Sequence, residues 1–258
     1  MSEDAGTDAV LTEKRDRILI ITINRPEAKN AANAAVSHGL AAAMDTLDDD
    51  PGLSVGVLTG AGGTFCAGMD LKAFARGENV AVKGRGLGFT ERPPAKPLIA
   101  AVEGFALAGG TELALATDLI VAARDSAFGI PEVKRGLVAA GGGLLRLPQR
   151  IPYAIAMELA LTGDNLPAQR AHELGLVNVL ADPGHALEAA IALAERITAN
   201  GPLAVAATKQ IIVESRGWSP EQQWAEQTKI IMPVFASKDA HEGAVAFAEK
   251  RAPNWTGT

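Results

Sequence analysis

The chain has 258 residues, 48% of them hydrophobic and 21% charged, a balance that excludes wholesale disorder. A net charge of −6, from 24 basic against 30 acidic residues, argues against general nucleic-acid binding but leaves room for a local basic patch that meets phosphates. The single cysteine, Cys66, excludes an internal disulfide and points to a reducing compartment, the cytoplasm.

The acidic start, Met1–Asp4, has no basic region ahead of an apolar core, so no secretory signal is expected. Arg17–Asn24 (RILIITIN) and Leu53–Thr59 (LSVGVLT) are β-branched runs ending at turn residues and read as strands. Between them, Asn30–Leu47 is alanine-rich with helical spacing. The segment Gly77–Pro97, rich in glycine and proline among mixed charges, reads as a mobile surface loop. Leu98–Ala123 is apolar and long enough to span a bilayer, but Glu103, Glu112 and Asp118 would each cost a few kcal/mol there. The better reading is strand (Leu98–Val102), glycine loop, helix and strand (Asp118–Ala122) in a folded core, with no membrane association. A short strand follows at Ala127–Ile130. Strands alternating with helices predict an α/β fold with mainly parallel pairing. From about Tyr153 the β signal stops, and His185–Ala199, Leu203–Glu214, Glu221–Phe235 and Asp239–Glu249 read as helices. The shift divides the chain into a core over residues 1–198 and a helical module over residues 199–258.

Several short motifs match by letter and fail by context. Gly52–Gly56 spells G-x-S-x-G, but an acidic turn precedes Ser54 and a strand follows, the reverse of a nucleophile elbow. Gly63 and Gly68 have P-loop spacing, yet Met69-Asp70 stands where Lys-Ser/Thr must meet phosphate and magnesium. Gly84 and Gly86 open a dinucleotide fingerprint that ends at Phe89 in place of the last glycine. The histidines at 38, 172, 185 and 241 show no metal-ligand spacing, so no metal is expected. Asn254-Trp255-Thr256 fits a glycosylation acceptor but has no export signal to give it meaning.

Two strand ends carry more. The strand ending at Thr59 runs into the glycine-rich stretch Gly60–Lys72, and the one ending at Val102 runs into Gly104–Glu112. The carboxyl ends of neighbouring parallel strands open onto one crevice, where each loop can offer a free N–H to one oxygen. Gly109 would do so at a helix N-terminus, and two such donors make an oxyanion hole. Glu112 follows in the first turn of that helix, and Glu132 lies twenty residues on, after Pro131 at a helix start. Such a pair can share acid and base duties, although a glutamate in a first helical turn is also common for dipole reasons alone.

Five stretches in register change the weight of that pair: NRPEAKNA (Asn24–Ala31), FCAGMDLK (Phe65–Lys72), AxAGGTELALATD (Ala106–Asp118), FGIPE…GG (Phe128–Gly142) and AFAEKR (Ala246–Arg251). Together they resemble the crotonase, or enoyl-CoA hydratase/isomerase, superfamily over nearly the whole chain. The resemblance implies a spiral core of ββα units, a helical C-terminal module that builds homotrimers, often stacked as hexamers, and acyl-CoA thioester substrates, with no cofactor beyond the substrate's own CoA. It places the oxyanion amides on Met69 and Gly109 and the catalytic carboxylates on Glu112 and Glu132. It places the CoA arm along Ala67, Gly68, Asp70 and Leu71, the nucleotide near Lys29, and Phe247 and Lys250 where a neighbouring subunit reaches the CoA end. For Phe247 a core aromatic on an amphipathic helix is an equal alternative.

The sequence departs from the family pattern at three points. Ala108 stands where many relatives have glycine, Met69 replaces a common alanine, and Val138-Ala139-Ala140 replaces a Pro-Gly pair in the loop that holds the attacking water. A donor at Ala140 would be strained if that turn needs a positive φ. Retention of both glutamates favours a 2-enoyl-CoA hydratase. The Asp-Leu-Lys turn and the helix after the oxyanion loop also look like the carnitinyl-CoA dehydratase branch. A Δ3,Δ2-enoyl-CoA isomerase and a non-catalytic acyl-CoA-binding protein are the remaining alternatives.

Overall fold

A computed structural model describes residues 9–258, so the Met1–Asp4 reading lies outside the described residues. The strands are β1 (Val10–Arg15), β2 (Ile18–Ile23), β3 (Val55–Gly60), β4 (Leu98–Val102), β5 (Phe105–Leu107), β6 (Leu119–Ala123), β7 (Ala127–Gly129), β8 (Asn165–Pro167) and β9 (Val179–Ala181). The helices are α1 (Ala34–Asp49), α2 (Leu71–Ala75), α3 (Gly109–Leu115), α4 (Gly143–Arg150), α5 (Tyr153–Thr162), α6 (Ala168–Glu173), α7 (Ala186–Thr198), α8 (Pro202–Glu214), α9 (Gln223–Phe235) and α10 (Lys238–Glu249).

A six-stranded sheet runs β1-β2-β3-β4-β6-β9, antiparallel only between β1 and β2. A smaller sheet, β5-β7-β8, is extended on its β5 side by a bridge between Cys66 and Ala106. The chain therefore winds as a spiral. Each turn gives a strand to the large sheet, an extended piece to the inner stack and then a helix: β2, Ala32 and α1; β3, Cys66–Met69 and α2; β4, β5 and α3. The fourth turn gives β6, β7 and a 3-10 turn over Pro131–Arg135. This is the expected spiral of ββα units.

The period of two in the strands sorts the core. Leu19, Ile21, Ile23, Leu58, Ala100 and Val102 face α1 and the inner stack, whereas Ile18, Ile20, Val57, Ile99 and Ala101 face α7. Val36, Leu40, Met44 and Leu47 form the buried stripe of α1, and Ala186, Ala190 and Ala194 let α7 lie close on the other face.

Three expectations are corrected. The helix read from Asn30 begins at Ala34, because Asn33 caps it by accepting from the Val36 amide at 3.1 Å. The β signal does not end at Tyr153, since β8 and β9 follow, each only three residues long and too short to show alternation. Gly77–Pro97 is not a loose surface loop. Val80, Leu87, Phe89 and Thr90 are buried, Arg85 pairs with Asp45, and Asp48 accepts from the amides of Ala95 and Lys96. Few apolar residues among many polar ones read as exposed, but those few seat the segment over α1.

Among the described residues, α8 and α9 bury none of their side chains. Lys209 ties α8 to the core by donating to Asp118 Oδ2 at 2.7 Å and to the Lys96 carbonyl at 2.9 Å. After α10 the chain returns over Asp239, which accepts from the amides of Thr256 and Gly257.

Candidate active site

The site grows from the second halves of successive spiral turns. A parallel bridge joins Ala32 to Met69 through the Ala32 amide on the Gly68 carbonyl (2.7 Å) and the Asp70 amide on the Ala32 carbonyl (2.8 Å). That pattern uses the groups flanking Met69 and turns its own N–H to the opposite side. Gly109, the first residue of α3, has no intrahelical acceptor for its N–H. Among the described residues neither amide has a hydrogen-bond partner. The two sit side by side: a Cβ added at Gly109 would lie 3.5 Å from the Met69 nitrogen. Two free donors converging on one point have the form of an oxyanion hole.

The connection into this hole is strained. Ala108 sits at φ 49° and ψ −125°, a conformation that glycine adopts freely and alanine does not. Its amide is held by the Gly129 carbonyl at 2.8 Å, and the Thr111 hydroxyl lies 2.5 Å from the Ala106 carbonyl and 2.8 Å from that of Gly129. These contacts fix the start of α3 against β5 and β7.

Glu112, only 3% exposed, projects from α3, all of whose residues are buried. Its Oε1 accepts from the Gly143 amide at 3.0 Å, and the Gly141 amide donates to the same carboxylate. A Cβ on Gly141 would fall 2.6 Å from Glu112 Oε2, so only glycine lets that backbone approach. Glu132 stands at the start of the 3-10 turn behind Pro131, as the sequence suggested. Its Oε2 is buried and has no hydrogen-bond partner among the described residues. Burial pushes both carboxyls above the usual glutamate range. For Glu112 the Gly143 and Gly141 amides and the Arg146 charge oppose that rise, whereas the negative charge of Glu112 raises Glu132 further. A buried carboxyl oxygen without a partner leaves a place for one polar atom of a ligand.

The other expected residues fall into four groups. The Ala67 amide donates to the Lys29 carbonyl at 3.0 Å, with Lys29 exposed, and Gly68 leads into Met69, where a Cβ on Gly68 would lie 3.4 Å from the Gly109 nitrogen. Asp70 caps α2 through the amides of Lys72 and Ala73 and pairs with Arg25 at 3.1 Å, which occupies both of its oxygens. Leu71 beside it is exposed. Ala140 precedes the Glu112-binding glycines with a free amide among the described residues and without positive φ, which falls instead on Gly136 and Gly142. The feared strain at Ala140 is therefore absent. Phe247 and Lys250 lie on and just after α10, and Phe247 is 87% exposed, which overturns the core-aromatic alternative.

Sequence reasoning missed Leu87, Thr90 and Arg146. Leu87 Cδ1 lies 2.8 Å from where a Gly109 Cβ would be, so it walls the oxyanion hole. Arg146 reads as one more charge on a helix, but it is half-buried and its charge acts on Glu112. Among the described residues no set of His, Cys, Asp and Glu side chains is gathered to hold a metal ion, and no helix is long and apolar enough to cross a membrane.

Comparison with known proteins converges with this geometry. Residues 13–258 match the sequence profile of the family described as enoyl-CoA hydratase/isomerase. The chain is 44% identical over 267 aligned residues to the enoyl-CoA hydratase EchA19 of Mycobacterium tuberculosis, covering 98% of this chain and 97% of that protein. It is 42% identical over 252 residues to the carnitinyl-CoA dehydratase of Proteus mirabilis, covering 94% and 96%. A crystal structure of an enoyl-CoA hydratase from Mycobacterium tuberculosis H37Rv has a TM-score of 0.97 at 82% identity, covering 98% of this chain and 100% of that chain.

Proposed function

The chain is an enzyme of the enoyl-CoA hydratase/isomerase family, and we propose that it adds water across the 2,3-double bond of a 2-enoyl-CoA thioester. The observation that carries this reading is the buried, unpartnered Glu132 Oε2 beside an amide-held Glu112 and a pair of free amides. The thioester carbonyl accepts from Met69 and Gly109, which draws electron density from Cβ and stabilises the enolate-like transition state; each donor is worth about 10²–10³ in rate. Water sits between the glutamates. Glu112, facing two amides and Arg146, is the ionised partner and takes the water proton as the oxygen bonds to Cβ; Glu132 gives its proton to Cα. The proton count closes, with the two carboxyls exchanging states and re-equilibrating before the next turnover. Amide dipoles polarise the carbonyl, so the reaction as drawn calls for no metal or redox group.

Lys29, Ala67, Gly68 and Leu71 are the proposed border of the CoA arm, with Asp70 and Arg25 fixing its shape and the Ala140 amide the proposed further donor to water. We place Phe247 and Lys250 at the CoA end of a neighbouring subunit's site. Residues 199–258 are the proposed assembly module of a homotrimer or hexamer: Ile212, Val213, Trp224, Met232 and Phe235 are all exposed by half or more. We place the enzyme in the cytoplasm, where the buried Cys66 thiol, pushed up to about 11 by burial, stays inert.

The test follows conjugated-thioester absorbance with crotonyl-CoA and, in parallel, the dehydration of carnitinyl-CoA. Rapid loss of absorbance with crotonyl-CoA supports the hydratase. Turnover of carnitinyl-CoA alone transfers the same two-glutamate chemistry to the branch represented by the Proteus mirabilis relative. Binding without turnover of either contradicts the catalytic reading.

A further inference from the structure

A closed path of contacts joins the catalytic glutamate to the oxyanion hole. The Gly141 and Gly143 amides hold the Glu112 carboxylate, and Arg146 Nη1 lies 3.4 Å from the Gly141 carbonyl. The second nitrogen of the same guanidinium donates to the Thr90 carbonyl at 2.5 Å. The Thr90 hydroxyl accepts from the Leu87 amide at 3.1 Å, and the Leu87 side chain presses on Gly109. The path thus leaves Glu112 on α3, passes through α4 and the Gly77–Pro97 segment, and returns to the first residue of α3.

We propose that Arg146 is a positioning residue for the reaction: its fork fixes the Glu112-holding loop and the segment that walls the oxyanion hole at one separation. This rests on the hydratase reading and deepens it. Two bonds to two segments use the planar, two-armed guanidinium, and an ammonium on a flexible stem cannot reproduce both directions. The guanidinium lies over Gly142, where a Cβ would come 2.3 Å from Nη1, so the glycine run admits the arginine as well as Glu112. Its charge also favours the ionised Glu112. The charged groups around that carboxyl are Arg146 from α4 and, from the 3-10 turn, Glu132 with Arg135 beside it.

The inference is tested by Arg146→Lys, Arg146→Gln and Arg146→Met, with kcat and KM for crotonyl-CoA measured across pH and thermal melts alongside. In Arg146→Met, kcat is expected to fall roughly 10- to 100-fold while KM stays within about threefold, because the reacting groups are displaced and the binding strip is not. Loss of the cation raises the Glu112 pKa, so the acid limb of the profile moves up. Arg146→Lys keeps the limb and loses part of kcat with the fork. Arg146→Gln keeps one donor and shifts the limb, which serves the test if the methionine variant does not fold. A wild-type kcat in Arg146→Lys, or a limb unmoved in both uncharged variants, overturns the proposal. If the wild type binds thioester without hydrating it, the hydratase reading fails separately. A ¹³C NMR titration of Glu112 in wild type and Arg146→Gln then still decides, an unmoved Glu112 counting against Arg146.

Discussion

Helix α3 and helix α9 solve opposite problems with similar material. Every residue of α3 is buried, and its polar members are accounted for: Thr111 by backbone carbonyls of β5 and β7, Glu112 by the glycine loop. Helix α9 buries none of its residues and exposes Trp224, Met232 and Phe235. The first region has its partners within the chain and can hold a carboxylate in an apolar setting; the second presents apolar surface that only another surface can cover. The reacting groups lie around the first and should keep their geometry when the second is altered, whereas the CoA end, where Phe247 and Lys250 of a neighbouring subunit are placed, should depend on assembly.

That contrast can be broken or sharpened by substitution. The largest stability loss is expected from Phe89→Ala, which empties a fully buried site in the Gly77–Pro97 segment and should cost about 3–5 kcal/mol in denaturant melts. A small loss would restore the loose-loop reading of that segment. Lys209→Met leaves Asp118 and the Lys96 carbonyl without their ammonium and should cost roughly 1–3 kcal/mol, while kcat of the folded protein stays near wild type. Met232→Glu with Phe235→Glu should shift sedimentation toward smaller species and change monomer melting by less than about 1 kcal/mol, as surface substitutions do; an unchanged oligomer would remove α9 from the assembly face. The last effect is a gain. Ala108→Gly relieves the positive φ, partly offset by greater unfolded-chain freedom, and should stabilise by about 1 kcal/mol with both amides still in place.

The pH dependence sharpens the α3 side. Burial raises both carboxyls, and each disfavours ionisation of the other, so kcat/KM should be bell-shaped with both limbs above the ordinary glutamate value of 4.5. Activity rises as the pair loses its first proton and falls as it loses the second. An acid limb at the ordinary value would mean that the pair is solvated.

Much of the strand and helix order was legible, because β2, β3, β4 and β6 are β-branched or apolar runs with turn residues after them, and Gly109, Glu112 and Glu132 follow at their ends; the spiral itself and the place of Met69 were implied only by the resemblance to the crotonase superfamily. What was hidden depends on distant partners. Strand β1 is polar and exposed on an edge and is defined by its pairing with β2. Leu87 and Thr90 sit in a segment whose local composition says turn, and only their contacts with α3 and α4 give them a place at the site. Arg146 has no local signal, since its partners are carbonyls at positions 90 and 141.

The most direct test of the two-glutamate account measures crotonyl-CoA hydration by Glu112→Gln and Glu132→Gln together with their CoA-ester affinity and thermal melting. Each substitution should lower kcat by roughly 10²–10⁴-fold, the range of general acid–base catalysis. Affinity should change little, because the amides and the binding strip are untouched; melting should hold or rise in Glu112→Gln, which removes a buried charge, and hold in Glu132→Gln, which replaces one neutral group by another. Wild-type turnover in either variant, in a folded protein that still binds the thioester, would contradict the account.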